Sequence, residues 1–111
     1  MFSRVLISGV IAFASLPAFA EGATAVADIV RGSPVTVTGV VERIDDEDEF
    51  TLADATGSIE VYLGPNTVPV TVGETVSVTG FVDDDQGPID LCASSITRAD
   101  GQVIQIANCD G

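Results

Sequence analysis

An all-β domain, a small barrel or sandwich of five short strands, is the fold class that this sequence predicts. Three observations carry it. After residue 34 the apolar residues recur with a period of two, the spacing that puts alternate side chains on one face of a strand. Those runs are short, and Gly, Pro and Asp clusters that read as turns separate them. The length of 111 residues fits one domain.

The first twenty residues have a different character. Arg4 supplies a short positive start, residues 5–13 form an apolar run, and Leu16 and Pro17 break it. Ala18-Phe19-Ala20 then has the A-x-A form of a cleavage site. A signal peptide over 1–20, cleaved after Ala20, is expected. The apolar run is short for a membrane span of about 20 residues. The chain is therefore expected in the periplasm or outside the cell, with no membrane span after cleavage. The expected organisation beyond it is a helix and lead-in over 21–34, then a barrel with a C-terminal hairpin over 35–111.

Residues 23–31 carry Ala, Val and Ile without proline and predict a short helix that stops at Gly32, just before Pro34. Val35-Thr36-Val37-Thr38 alternates cleanly and continues through Gly39 to Ile44 as a first strand, with the glycine marking a bulge or bend. Residues 45–49 are all acidic and read as a solvated loop. Residues 50–53 form a second strand, and Asp54-Ala55-Thr56-Gly57 a turn. Residues 58–63 form a third strand, with Ile59, Val61 and Leu63 on one face and Glu60 and Tyr62 on the other. A connection with two prolines leads to a fourth strand over 75–82, where Val76, Val78 and Val82 point inward and Gly80 is a second bend. A second acidic loop starts at Asp83, and Ile89-Asp90-Leu91 opens the fifth strand.

Asp100-Gly101 is a two-residue hairpin signal between strand-like segments. With that turn Ala99 faces Gln102, and the same register carries Cys92 opposite Cys109. A non-hydrogen-bonded pair there brings the Cα atoms to about 4.5 Å, which a disulfide accepts. A redox or metal role suits the cysteines less well. The chain has no C-x-x-C and no histidine, and no basic residue stands beside either sulfur to lower its pKa. A structural disulfide suits an oxidising compartment and a domain too small to rely on its core alone.

Composition narrows the chemistry. The formal net charge is −13, from 17 acidic residues against 4 basic ones, and all four of those are arginine. Phosphate contacts need clusters of Lys or Arg, so nucleic acid is not an expected partner. The absence of histidine removes any Ser-His-Asp or Cys-His mechanism. Paired carboxylates could still hydrolyse glycosides. However, few aromatics remain to line a sugar cleft, and loop carboxylates in water lack the burial that would raise one pKa. No enzymatic activity is expected.

The order of these blocks resembles a known family. A signal peptide and short helix precede Val-x-Val-x-Gly-x-Val. Phe-Thr-Leu-Ala-Asp-Ala-Thr-Gly-Ser-Ile-Glu-Val follows over 50–61, then Val-x-Val-x-Gly-x-Val-Asp over 76–83, then Ile-Asp-Leu. Over about residues 23–96 this pattern resembles the bacterial OB-fold (BOF) proteins, small periplasmic stress-tolerance proteins. The resemblance implies a five-stranded, partly open OB-like barrel with a non-catalytic, ligand- or partner-binding role. It supplies no catalytic residues. The chain departs from the family in having no lysine and in its tail, residues 97–111.

An OB barrel binds on strands two and three, flanked by the loops joining strands one to two and four to five. In this sequence Glu42, Thr51, Glu60 and Tyr62 form the candidate face. Asp45, Asp46, Glu47, Asp48 and Glu49 with Asp83, Asp84 and Asp85 form a candidate acidic rim. Such a rim fits a basic peptide, a polyamine or a basic envelope protein. It also fits weak calcium binding, since calcium takes six to eight oxygen ligands, although the spacing is not that of an EF-hand. Otherwise the acids are solvated loops that keep the protein soluble. No other cofactor is expected.

Overall fold

A computed structural model describes residues 22–83, 87–107 and 109. The expected signal peptide, like Asp84 and Asp85 of the acidic rim, lies outside the described residues.

The strands are β1 (Pro34–Asp46), β2 (Glu49–Asp54), β3 (Gly57–Tyr62), β4 (Thr75–Val82), β5 (Asp90–Arg98) and β6 (Val103–Gln105). β1, β2 and β3 form an antiparallel meander, β4 returns beside β1, and β5 runs antiparallel to β4. A short parallel pairing of β3 with β5, Glu60 to Asp90 and Tyr62 to Cys92, closes the five strands into a barrel. β5 is long enough to serve two partners along one edge. β3 takes its first residues, and β6 pairs with it from Ser95 to Thr97.

The alternation read from the sequence places the core. Val37, Val41, Phe50, Leu52, Val61, Leu63, Val76, Val78, Val82, Leu91 and Ile96 are fully buried inside the barrel. On β4 they come from the inward parity of the strand, so a one-residue slip there would expose its whole apolar set. On β5 the register shift opposite Thr79 and Gly80 lets Leu91 and Ile96, of opposite parity, both point inward. Residues 63–74 carry no strand. They cover one end of the barrel through Val70, and Glu74 anchors them to Arg98 at 2.6 Å.

Four sequence expectations need correction. The helix over 23–31 is absent, and the segment holds a single 3-10 turn, Val26–Asp28. So short a segment cannot sustain an isolated helix, and its amides find tertiary partners. The N–H of Val26 donates to Asp54 Oδ2 at 2.9 Å, that of Ala27 to the Thr56 hydroxyl at 3.1 Å, and that of Thr24 to the Thr36 carbonyl at 2.7 Å.

The acidic segment 45–49 is not an open loop. β1 runs on through Asp46 and β2 begins at Glu49, which leaves a two-residue turn at Glu47 and Asp48. Gly39 sits in unbroken register opposite Val76, so it is no bulge. A Cβ there would lie 2.3 Å from the Ala53 carbonyl oxygen, and close approach of two strands is what requires glycine. The irregularities of β1 fall instead between Val41 and Arg43 and between Ile44 and Asp46.

The last hairpin turns one residue differently from expectation. Gly101 adopts a φ of +94°, and its N–H donates to the Arg98 carbonyl at 2.9 Å. The loop is therefore Ala99-Asp100-Gly101, with glycine in the left-handed position that a three-residue loop needs. Arg98 donates to Gln102 at 2.8 Å, and Ile96 pairs with Ile104. The disulfide between Cys92 and Cys109 forms, but not across a ladder. The tail leaves β5 after Ile106, whose N–H donates to the Ser94 carbonyl, and Cys109 approaches Cys92 from the side with a Cα separation of 5.8 Å.

Candidate functional site

Strand pairing aligns the outward residues in two rows. The first holds Arg43, Thr51, Glu60 and Asp90, on β1, β2, β3 and β5. The second holds Glu49, Tyr62, Cys92, Phe81 and Pro34, on β2, β3, β5, β4 and β1. The two rows lie two residues apart on β3 and β5, one polar and the other aromatic around the disulfide.

The polar row is a closed network. Arg43 Nε donates to Asp45 Oδ1 at 2.6 Å, and Arg43 Nη2 to the Thr51 hydroxyl at 3.0 Å. That hydroxyl donates to Asp45 Oδ2 at 2.7 Å and lies 3.5 Å from Glu60 Oε1. Thr51 is only 4% exposed, so it supports this face from beneath and presents no surface of its own.

The two carboxyls respond in opposite directions. Burial, then the hydrogen bond with Asp45 and its charge, pushes the Glu60 carboxyl up to about 7. Hydrogen bonds from Glu60, Thr51 and Arg43 hold Asp45 down at about 2. Glu60 Oε2 is buried without a hydrogen-bond partner, which a neutral carboxyl tolerates better than a charged one. The expectation that loop carboxylates lack the burial to raise a pKa does not reach Glu60, a strand residue, and it fails at Glu49, which burial also raises.

Glu42 is exposed in the bulge between Val41 and Arg43, outside both rows. The acidic turn gathers on its own. Asp46, Asp48 and Glu49 each offer an oxygen, all within 4.8 Å of one another. Burial, followed by the charges of Asp48 and Asp90, pushes the Glu49 carboxyl above its usual value. Glu47 is exposed, and its carbonyl accepts the Val68 N–H at 2.8 Å. Asp83 is exposed at the end of β4. Among the described residues, no group of three metal-ligating side chains draws on both acidic loops.

The aromatic row borders a groove of about 930 Å³. Tyr62, Phe81, Cys92 and Cys109 line it, with Ile106 of the tail and two acidic residues, Asp83 and Asp90. The sequence reading missed Phe81 as a surface group, although its place between inward Gly80 and Val82 was enough to turn it outward. It is 50% exposed. The face read from the sequence thus divides. Thr51 and Glu60 belong to the polar network, Tyr62 belongs to the groove, and Glu42 to neither.

Five strands paired in the order β1-β2-β3-β5-β4, with β3 parallel to β5, define an OB-like barrel. Among solved structures the chain is similar to the hypothetical protein YgiW from E. coli. That likeness has 27% identity, covers 68% of this chain and 88% of that one, and gives a TM-score of 0.59. It is also similar to the OBody AM1L10 bound to hen egg-white lysozyme, with 18% identity over 79% of this chain and 98% of that one and a TM-score of 0.59, a likeness of fold alone. No family model matches the chain. No curated protein matches it.

Proposed function

We propose that this chain is a non-catalytic binding module of the BOF type that acts outside the cytoplasm, in the periplasm, and contributes to stress tolerance there by holding a cationic partner. A basic peptide, a polyamine or the basic patch of an envelope protein has the required chemistry. One observation carries the reading. The outward rows and the turn beside them present Asp46, Asp48, Glu49 and Asp90, and the one arginine of those rows, Arg43, is already bridged to Asp45 at 2.6 Å. A surface of that sign draws cations and turns away nucleic acid. The disulfide suits an oxidising compartment. The OBody, a barrel of the same fold, is bound to a protein, so the scaffold accommodates a protein partner. Catalysis is not part of the reading, because the carboxyl pair of Asp45 and Glu60 is locked in its own network and does not line the groove.

A second reading, divalent-cation binding, is favoured by the approach of Asp46, Asp48 and Glu49 to one another. Calorimetry with spermine and with an arginine-rich peptide, at low and then high salt, tests the first reading. It predicts saturable binding that weakens as salt rises. Thermal melts in EDTA, calcium, magnesium and sodium chloride of matched ionic strength test the second. On the first reading calcium raises the midpoint no further than the sodium control does.

A further inference from the structure

The groove beside the disulfide meets the β2–β3 face, where the sequence placed the ligand, at Tyr62 and not at Glu42, Thr51 or Glu60. Tyr62 and Phe81 stand on either side of Cys92 in one paired row, two strand spacings apart, or about 9.5 Å. Cys92 stands between them in the row, and both cysteines of the disulfide line the groove together with Ile106 of the tail. Asp90 is two residues before Cys92 on the same strand and also lines the groove. Among the described residues, no basic one lines it. The volume of about 930 Å³ is enough for several side chains of an extended peptide.

Apolar walls, two aromatic rings and a carboxylate together suit a side chain that is aliphatic along its length and cationic at its tip. Arginine matches best, because its planar guanidinium stacks on rings and forks onto carboxylates. Charge complementarity settles the class of occupant, since an acidic chain with a carboxylate in its groove repels anionic segments.

We propose that this groove binds a basic peptide segment, with an arginine side chain lying along the row of Tyr62, the disulfide and Phe81 and its guanidinium at Asp90. The proposal rests on the cationic-partner reading and gives it a site. It also assigns the C-terminal tail a purpose, because Ile106 and Cys109 build one side of the groove.

The chain has a single tyrosine and no tryptophan, so its intrinsic emission reports on Tyr62 alone. The test titrates the oxidised protein with acetyl-Arg-Leu-Arg-Leu-Arg-amide, followed by calorimetry and by tyrosine emission, with glutamate in place of arginine as the control peptide. The arginine peptide binds and shifts Tyr62 emission along the same isotherm, and the glutamate peptide does neither. Phe81→Ala and Asp90→Asn each weaken binding about three- to ten-fold, as loss of one cation–π or ionic contact predicts. Asp28→Asn, the same loss of charge on the exposed 3-10 turn, changes it less than two-fold. Circular dichroism and thiol counting verify that each variant is folded and oxidised.

Two outcomes overturn the proposal and are distinguishable. If the peptide binds calorimetrically while Tyr62 emission is unmoved and both groove variants bind like the parent, cations are held elsewhere. The groove then falls and the cationic-partner reading stands. If no cationic probe binds at all, both fall together.

Discussion

Asp45 on β1 and Glu60 on β3 reach the hydroxyl of Thr51 from the strands on either side of it, at 2.7 and 3.5 Å, and their carboxyls are shifted in opposite directions. The pair makes stability depend on pH in both directions. The folded pKa of Glu60 stands above its ordinary value of 4.5, at about 7. Its contribution is complete below 4.5 and is lost as the pH rises toward about 7. Asp45 is depressed from 3.8 to about 2, so its contribution is present above 3.8 and is lost as the pH falls toward about 2. Urea unfolding from pH 4.5 to 8 should show the parent losing on the order of 1–2 kcal/mol relative to Glu60→Gln, which keeps a hydrogen-bond donor at every pH. Parallel curves for the two proteins would refute the raised Glu60 carboxyl.

Asp54 ties the lead-in segment to the barrel. Its Oδ1 accepts from the Thr56 N–H at 2.7 Å, the Thr56 hydroxyl at 2.6 Å and the Gly57 N–H at 3.1 Å, while Oδ2 accepts from Val26. Burial alone would raise this carboxyl, but the hydrogen bonds from Thr56, Val26 and Gly57 outweigh it and the net shift is downward. Asp54→Ala should cost about 1–3 kcal/mol, because it strands several amides at once. Amide exchange at Val26 and Ala27 should accelerate in the same variant. The Asp54 contribution is present above the ordinary value of 3.8 and disappears as the pH falls below it, so the gap between variant and parent should narrow in acid.

The tail past β6 hangs on few contacts. Ile106 donates to Ser94, Asn66 Nδ2 donates to the Ala107 carbonyl at 2.7 Å, and the disulfide does the rest. A bridge across a sequence separation of 17 is worth about 3 kcal/mol in the chain-entropy description. Reduction should therefore lower the melting midpoint by roughly 12–24 °C. Limited proteolysis of the reduced protein should cut first after Gln105, while the barrel survives. A reduced protein that melts like the oxidised one would deny the disulfide its structural role.

How much was legible from the sequence follows from which residues signal locally. Ile59, Val61 and Leu63 on one face, and Val76, Val78 and Val82 on another, were readable because period two is a property of the strand itself. The pairing of Cys92 with Cys109 was readable too, although through a register that the structure shifts by one. Asp100-Gly101 fits a two-residue loop and the end of a three-residue loop equally well, and the pairing of Arg98 with Gln102 and of Ile96 with Ile104 distinguishes them. The helix over 23–31 was misread because its amides are claimed by Asp54, Thr56 and Thr36, none of them a neighbour in sequence. The buried position of Thr51 and the raised carboxyl of Glu60 were out of reach for the same reason. Both depend on Arg43 and Asp45 meeting them across strands, and an acidic run such as 45–49 looks solvated until its partners are placed. Phe81 was within reach, since its parity turned it outward; what the sequence could not show was Tyr62 two strands away on the other side of Cys92.

Gly80 joins the fold to the groove. It stands where β4 and β5 change register between Thr79 and Gly80, and it lines the groove beside Phe81. A Cβ at this position would lie 2.1 Å from the Cys92 carbonyl oxygen and 2.9 Å from Ala93 Cα. Both are backbone atoms of a barrel strand, so no side chain can swing away to make room. β4 and β5 would have to separate at the pair of Phe81 with Cys92, the two residues that set the spacing of the aromatic row. Gly80→Ala should therefore destabilise the protein by about 2–3 kcal/mol, a cost that denaturant unfolding will read. Where the variant remains folded, it should also weaken the arginine peptide, although it removes no atom that touches it. A variant as stable as the parent would mean that the two strands are not held as close as the register requires.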